Sequence, residues 1–162
     1  MISRGHIGVA LFAACFVAFA GCAAKPAKPS PTHAQLTASA NVNPDASGRA
    51  SPIVIRLFQL RNDGEFAAAD FFALYGTEKE TLASTLISRE EYVLAPGETR
   101  TVELSLDPQA RAIGALAAFR DIRSARWRAL AHSPEKKLTD LLGKDSLTLA
   151  VDQDSLTLSV KD

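Results

Sequence analysis

The sequence predicts an all-β sandwich, on three observations. Seven or eight short segments carry strand signals, either alternating or β-branched and apolar. Turn residues separate them at short intervals. Removing the first 21 of the 162 residues leaves 141, enough for one domain with a single core and too few for two.

Leu36, Ala38, Ala40 and Val42 alternate with Thr37, Ser39, Asn41 and Asn43, the period of a half-buried strand. Asn43, Pro44, Asp45, Ala46, Ser47, Gly48, Arg49, Ala50, Ser51 and Pro52 then form a small, polar, proline-framed loop. Residues 53–60, Ile-Val-Ile-Arg-Leu-Phe-Gln-Leu, are β-branched and apolar and read as a central strand. Asn62, Asp63 and Gly64 turn the chain. Residues 65–75 place Phe66, Ala69, Asp70, Phe72 and Ala73 at helical spacing, a short aromatic-rich helix that packs over a sheet edge. Residues 78–88 read as a further helical or irregular stretch with Leu82, Leu86 and Ile87 on one face.

Strand signals resume at residues 90–94, and Ala95, Pro96, Gly97 and Glu98 make a turn. Residues 100–106 alternate strictly, with Val102, Leu104 and Leu106 inward. Residues 112–119 are apolar and read as a buried strand, and residues 127–132 as another. Residues 146–151 and 155–160 look alike and flank Asp152, Gln153 and Asp154, so they form a hairpin. Glu135, Lys136 and Lys137 precede Leu138, Leu141 and Leu142, an amphipathic turn or two that caps one sheet.

The first 21 residues do not belong to this pattern. Arg4 and an uncharged run from Ile7 to Ala20 make a secretory signal peptide, too short to span a bilayer comfortably. The run ends in Phe19-Ala20-Gly21-Cys22. Small residues before a cysteine suit a lipoprotein signal peptidase, so cleavage falls between Gly21 and Cys22 and lipid is added to Cys22. Phe19 departs from the bacterial lipobox, where Leu is usual. The alternative is an ordinary signal peptide, or a membrane helix with an incidental cysteine. Cys15 leaves with the leader, so the folded domain has no cysteine and no disulfide. Residues 22–35, with Pro26, Pro29 and Pro31 between lysines, form a semi-extended tether, and residues 36–162 form the sandwich domain.

Charge excludes several function classes. Lys plus Arg and Asp plus Glu number 18 each, so there is no electrostatic reason to expect nucleic acid. His132 is the only histidine of the expected domain, with His33 in the tether. No cysteine nucleophile, metal-ligand spacing, Gly-x-Ser-x-Gly or phosphate loop is present. Asp152 and Asp154 fall short of a calcium ligand set and are explained by turn chemistry. The chain is therefore expected to be no enzyme, to need no cofactor or metal, and to act on no small-molecule substrate.

The lipobox, the Leu-Thr-Ala-Ser-Ala-Asn-Val-Asn-Pro opening at 36–44 and the Pro-Ile-Val-Ile-Arg-Leu-Phe-Gln-Leu-Arg run at 52–61 resemble a known family. So do Phe66 with Ala69-Asp70-Phe71, Leu94-Ala95-Pro96-Gly97, Phe119-Arg120-Asp121 and Ala125-Arg126-Trp127-Arg128. The family is the outer-membrane lipoprotein of the type VI secretion system, called TssJ or SciN. The resemblance implies a transthyretin-like sandwich of two four-stranded sheets with helical insertions. It implies a structural role in an envelope-spanning complex, binding the periplasmic C-terminal region of the inner-membrane component TssM. The loop from Asn43 to Pro52 is the contact region it implies. Ala23, where Asp would retain a lipoprotein at the inner membrane, implies the periplasmic face of the outer membrane. A lipoprotein that binds a small periplasmic ligand is the alternative reading.

Overall fold

A computed structural model of the chain describes residues 28–132 and 146–161. Gly21, Cys22, most of the tether and the amphipathic turn at 135–142 lie outside the described residues. Among the described residues, eight strands form two four-stranded sheets. The first sheet contains β1 (Ser30–Ala38), β4 (Thr99–Leu106), β7 (Ser146–Val151) and β8 (Leu156–Lys161), in the order β4-β1-β7-β8. The second contains β2 (Ile53–Leu60), β3 (Leu86–Leu94), β5 (Ala112–Ala117) and β6 (Arg128–His132), in the order β3-β2-β5-β6. All pairings are antiparallel except β1 with β7.

The main core lies between the sheets. Leu36 of β1, Ile55 and Leu57 of β2, Leu104 of β4 and Leu147 and Leu149 of β7 all point into it. Gln59 adds a polar tie across the gap, donating to the Ser105 carbonyl at 2.9 Å and accepting from the Asp107 N–H at 2.9 Å.

A second core covers the outer face of the second sheet. Three short helices, α1 (Gly64–Ala68), α2 (Phe71–Gly76) and α3 (Glu78–Leu82), pack Phe66, Leu74 and Leu82 onto Phe58, Leu60 and Leu116. Helices of five or six residues are unstable alone. Each fully buried Phe or Leu contributes about 1.5–3 kcal/mol, so burial on the sheet, not propensity, holds them. Gly114 of β5 makes room for the Phe66 ring: a Cβ there would stand 2.7 Å from Cζ. Phe66 also meets Phe58 at 5.3 Å between ring centroids. Two arginines fasten the helices from below. Arg128 donates to the Phe66 and Ala69 carbonyls at 2.9 and 2.7 Å, satisfying the end of α1. Arg56 donates to the Tyr75 carbonyl, lies 4.0 Å from the Tyr75 ring centroid and pairs with Glu91 at 2.7 Å.

With both faces covered, β2 is buried along most of its length, which is why its sequence is a continuous apolar run. Trp127 packs against both cores, a structural role consistent with its place at the mouth of β6.

Four details differ from the sequence reading. β1 begins at Ser30, so Ser30 to Gln35, including His33, belong to the sheet and not to the tether. Thr32, Ala34, Leu36 and Ala38 face inward; the inward residues ahead of Leu36 are small or polar and give no apolar signal. Pro31 is tolerated because β7 pairs with β1 only from His33 onward, so its missing N–H breaks no described ladder bond on that side. At its other end β1 stops at Ala38; Ala40 is exposed and Val42 is buried beyond the strand. The expected helix over 65–75 is two helices, because Asp70 is extended and its carboxylate caps α2 by accepting from the Ala73 N–H at 2.9 Å. Leu82, Leu86 and Ile87 share no helix face: α3 ends at Leu82, Ala83 takes φ of 44°, and β3 starts at Leu86.

Candidate functional site

Strand directions bring four connections to one pole of the sandwich. Register places Ile53 beside Leu94, Ile55 beside Ala117 and Ala38 beside Val151. The segments 39–52, 95–98, 118–127 and 152–155 therefore emerge together. The chain enters at the opposite pole, where Ser30 pairs with Leu106.

The loop at residues 43–52 is tightly held at its root. Asn43 is 5% exposed and has φ of 48°, a left-handed conformation that asparagine tolerates better than most residues. Its side chain donates to the Pro52 carbonyl at 2.9 Å, closing the loop on itself. Its Oδ1 accepts from the Arg120 N–H at 2.8 Å, joining the loop to residues 118–127. Its own N–H donates to the Gln153 carbonyl at 3.2 Å, joining it to the β7–β8 turn. The Ser51 N–H donates to the Val42 carbonyl at 3.1 Å.

The tip is ordered by Asp45. Its carboxylate accepts from the N–H groups of Ser47 and Arg49 at 2.8 and 3.0 Å, and from Arg49 Nε at 2.9 Å. The Asp45 N–H donates to the Arg49 carbonyl, and Gly48, with φ of 75°, donates to the Asp45 carbonyl. The backbone and side chain of Arg49 hold the Asp45 carboxyl below the usual carboxylate range, with Ser47 and the field of Arg120 adding to the effect. The loop's only anion and only cation thus neutralise each other, and the tip offers shape and backbone groups rather than net charge.

Residues 118–127 lie beside this loop. Asp121 accepts from the Ser124 hydroxyl and from backbone N–H groups, which together lower its pKa. Arg126 bridges to Ser155, with its N–H on the Asp154 carbonyl at 2.9 Å. Two clefts result. The smaller, about 170 Å³, lies among Asn43, Phe119, Ser124 and Gln153. The other, an open groove of about 600 Å³, runs between Pro44, Asp45 and Ala46 on one side and Arg120, Ile122 and Arg123 on the other.

The loop chosen from sequence is therefore one wall of a larger surface. In the sequence its partners at 118–127 and 152–155 stand only as family landmarks, strand ends or turn residues. The long-range bonds from Asn43 to Arg120 and Gln153 leave no local pattern. His33 lies on the exposed face of β1 and His132 ends β6. Among the described residues, no group of three or more His, Cys, Asp or Glu side chains is placed to hold a metal ion. Gln153 donates to Asp152 at 2.8 Å, an ordinary turn contact.

Comparison with known proteins gives a consistent result. Residues 30–154 match the family model T6SS-SciN, described as type VI secretion lipoprotein, VasD, EvfM, TssJ, VC_A0113. The structure resembles that of the T6SS lipoprotein TssJ1 from Pseudomonas aeruginosa, at 33% identity and a TM-score of 0.73, covering 83% of this chain and 98% of that one. It resembles Serratia marcescens Lip, a membrane-bound component of the type VI secretion system, at 27% identity and a TM-score of 0.72, covering 80% and 97%. A chain of a type VI membrane complex matches at 28% identity and a TM-score of 0.66, covering 80% and 97%. No curated protein matches.

Proposed function

This chain belongs to the type VI secretion lipoprotein family, and we propose that it is a structural, non-catalytic outer-membrane component that binds the periplasmic C-terminal region of an inner-membrane TssM-like protein. Cys22, exposed after cleavage behind Gly21, carries the lipid that fixes it to the periplasmic face. Residues 43–52 form the contact loop.

The observation that carries this reading is the position and rigidity of that loop. It lies at the pole opposite the chain's entry. The nine residues of β1 separate the two by about 30 Å. Eight residues, 22–29, connect the lipid to Ser30 and reach at most about 28 Å. That leash is six residues shorter than the 22–35 tether expected from sequence. A domain held by its entry pole presents the loop pole away from its own membrane, toward a partner rooted in the other. The internal bonds of Asp45 and Asn43 fix the loop before binding, which spares about 0.5–1.5 kcal/mol for each side chain that need not be ordered. The resemblance to a chain of a type VI membrane complex supports the same reading.

The test is capture of the TssM-like periplasmic region by the full-length lipoprotein in detergent. Replacing residues 44–50 with Gly and Ser, while keeping Asn43 and Ser51 as the root, is expected to abolish capture with little change in melting temperature. Undiminished affinity would remove the loop from the interface. For the anchor, Cys22→Ser is expected to move the protein from membranes to the soluble periplasmic fraction; firm retention in membranes contradicts it.

A further inference from the structure

We propose that residues 118–127 are the anion-reading half of the same surface: Arg120, Arg123 and Arg126 receive an acidic segment of the protein that seats on residues 43–52. The proposal rests on the loop reading above and adds the chemistry of the partner.

The three arginines fall within seven residues and all are exposed. Among the described residues, no carboxylate lies within ion-pair distance of any of their guanidiniums, whereas Arg49, Arg56, Arg89 and Arg100 are all paired. Their backbone is nevertheless fixed. Arg120 is held by Asn43, Arg126 by Asp154 and Leu156, and the turn between them by Asp121 with Ser124 and Ala125. A fixed backbone thus carries solvated cations. The nearby carboxylates make their hydrogen bonds elsewhere, Asp45 to Arg49 and Ser47, Asp121 to Ser124 and the turn, and feel Arg120 and Arg123 only as a minor through-space field. With three arginines and one aspartate, the segment stands at +2 in a protein whose net charge is zero.

Arg120 and Arg123 also line the groove, together with Asp45 and Asp121, and Ile122 and Pro44 supply apolar surface there; Arg126 lies outside it on the same segment. A segment lying in it meets apolar contacts along its length and guanidiniums at its edge. Guanidinium forks match carboxylates bidentately, which favours Asp and Glu side chains as the groups received. Across the pole, Asp152 and Asp154 repel the same segment and so set its direction. Anionic lipid headgroups would suit the arginines too, but this pole faces away from the chain's entry point.

Association of the full-length lipoprotein with the TssM-like periplasmic region is measured by stopped flow or interferometry across a range of NaCl. The triple variant Arg120→Glu, Arg123→Glu, Arg126→Glu is expected to associate about ten-fold more slowly or worse at low salt, with the gap closing as salt rises. The corresponding triple Gln variant is expected to fall between it and wild type. Arg61→Glu, an exposed arginine at the other pole, should change the rate less than about two-fold. Melting temperatures should change little, since among the described residues no ion pair involves these guanidiniums. Unchanged rates in the arginine variants, with binding still lost on loop replacement, overturn this proposal and leave the loop reading intact. Unaltered binding in both sets overturns both. Variants that lose binding to phosphatidylglycerol–phosphatidylcholine vesicles yet associate normally with the protein partner overturn it in favour of a membrane contact.

Discussion

Asn43 meets three demands at once: a left-handed backbone, a donor for the Pro52 carbonyl and an acceptor for the Arg120 N–H. Alanine satisfies none of them, and glycine satisfies only the first. Asn43→Ala is expected to cost about 2–4 kcal/mol, from two lost bonds, an orphaned buried group and left-handed strain. Asn43→Gly should cost about 1 kcal/mol less, because the strain term drops out. Urea unfolding reads both; equal losses, or losses below about 0.5 kcal/mol, contradict the assignment of Asn43 as the root of the surface. In sequence, Asn43 is only the polar start of a proline-framed loop. Its role depends on groups 77 residues away, and no single-sequence pattern encodes that. Asp45 and Arg49 were legible as the loop's lone charges, but their mutual pairing belongs to the folded turn.

At the level of elements, the strands that alternate cleanly or run apolar were readable: β2, β4, β5 and the β7–β8 hairpin all lie where their patterns place them. β1 was read late because Thr32 and Ala34 bury little apolar surface and prolines precede them. The helices were readable as an aromatic-rich insertion, yet not as two pieces, because the break comes from one capping aspartate within a continuous helical period. Their docking sets a sharper test. Gly114→Ala drives a methyl into the Phe66 ring, with an expected cost of about 1–3 kcal/mol. Combined with Phe66→Leu, which opens the space, Gly114→Ala should cost measurably less than it does alone. Strict additivity of the two changes would show that Phe66 does not rest on Gly114.

For the whole molecule, topology does what composition could not. A neutral chain with no catalytic motif offers few clues to its work. The two-sheet fold turns three sequence-distant segments into one surface, and it places that surface at the pole opposite the start of β1. The family is legible in the order of landmarks along the chain; the extent of the proposed binding surface is not, since 118–127 joins 43–52 only through the fold. Hydrogen–deuterium exchange on the full-length lipoprotein, alone and with the TssM-like periplasmic region, tests the central claim most directly. Slowed exchange at residues 43–52 and 118–127, with residues 107–111 at the entry pole unchanged, is the predicted result. Protection at the entry pole or on the outer face of the β4-β1-β7-β8 sheet, with both loops exchanging as before, would contradict it.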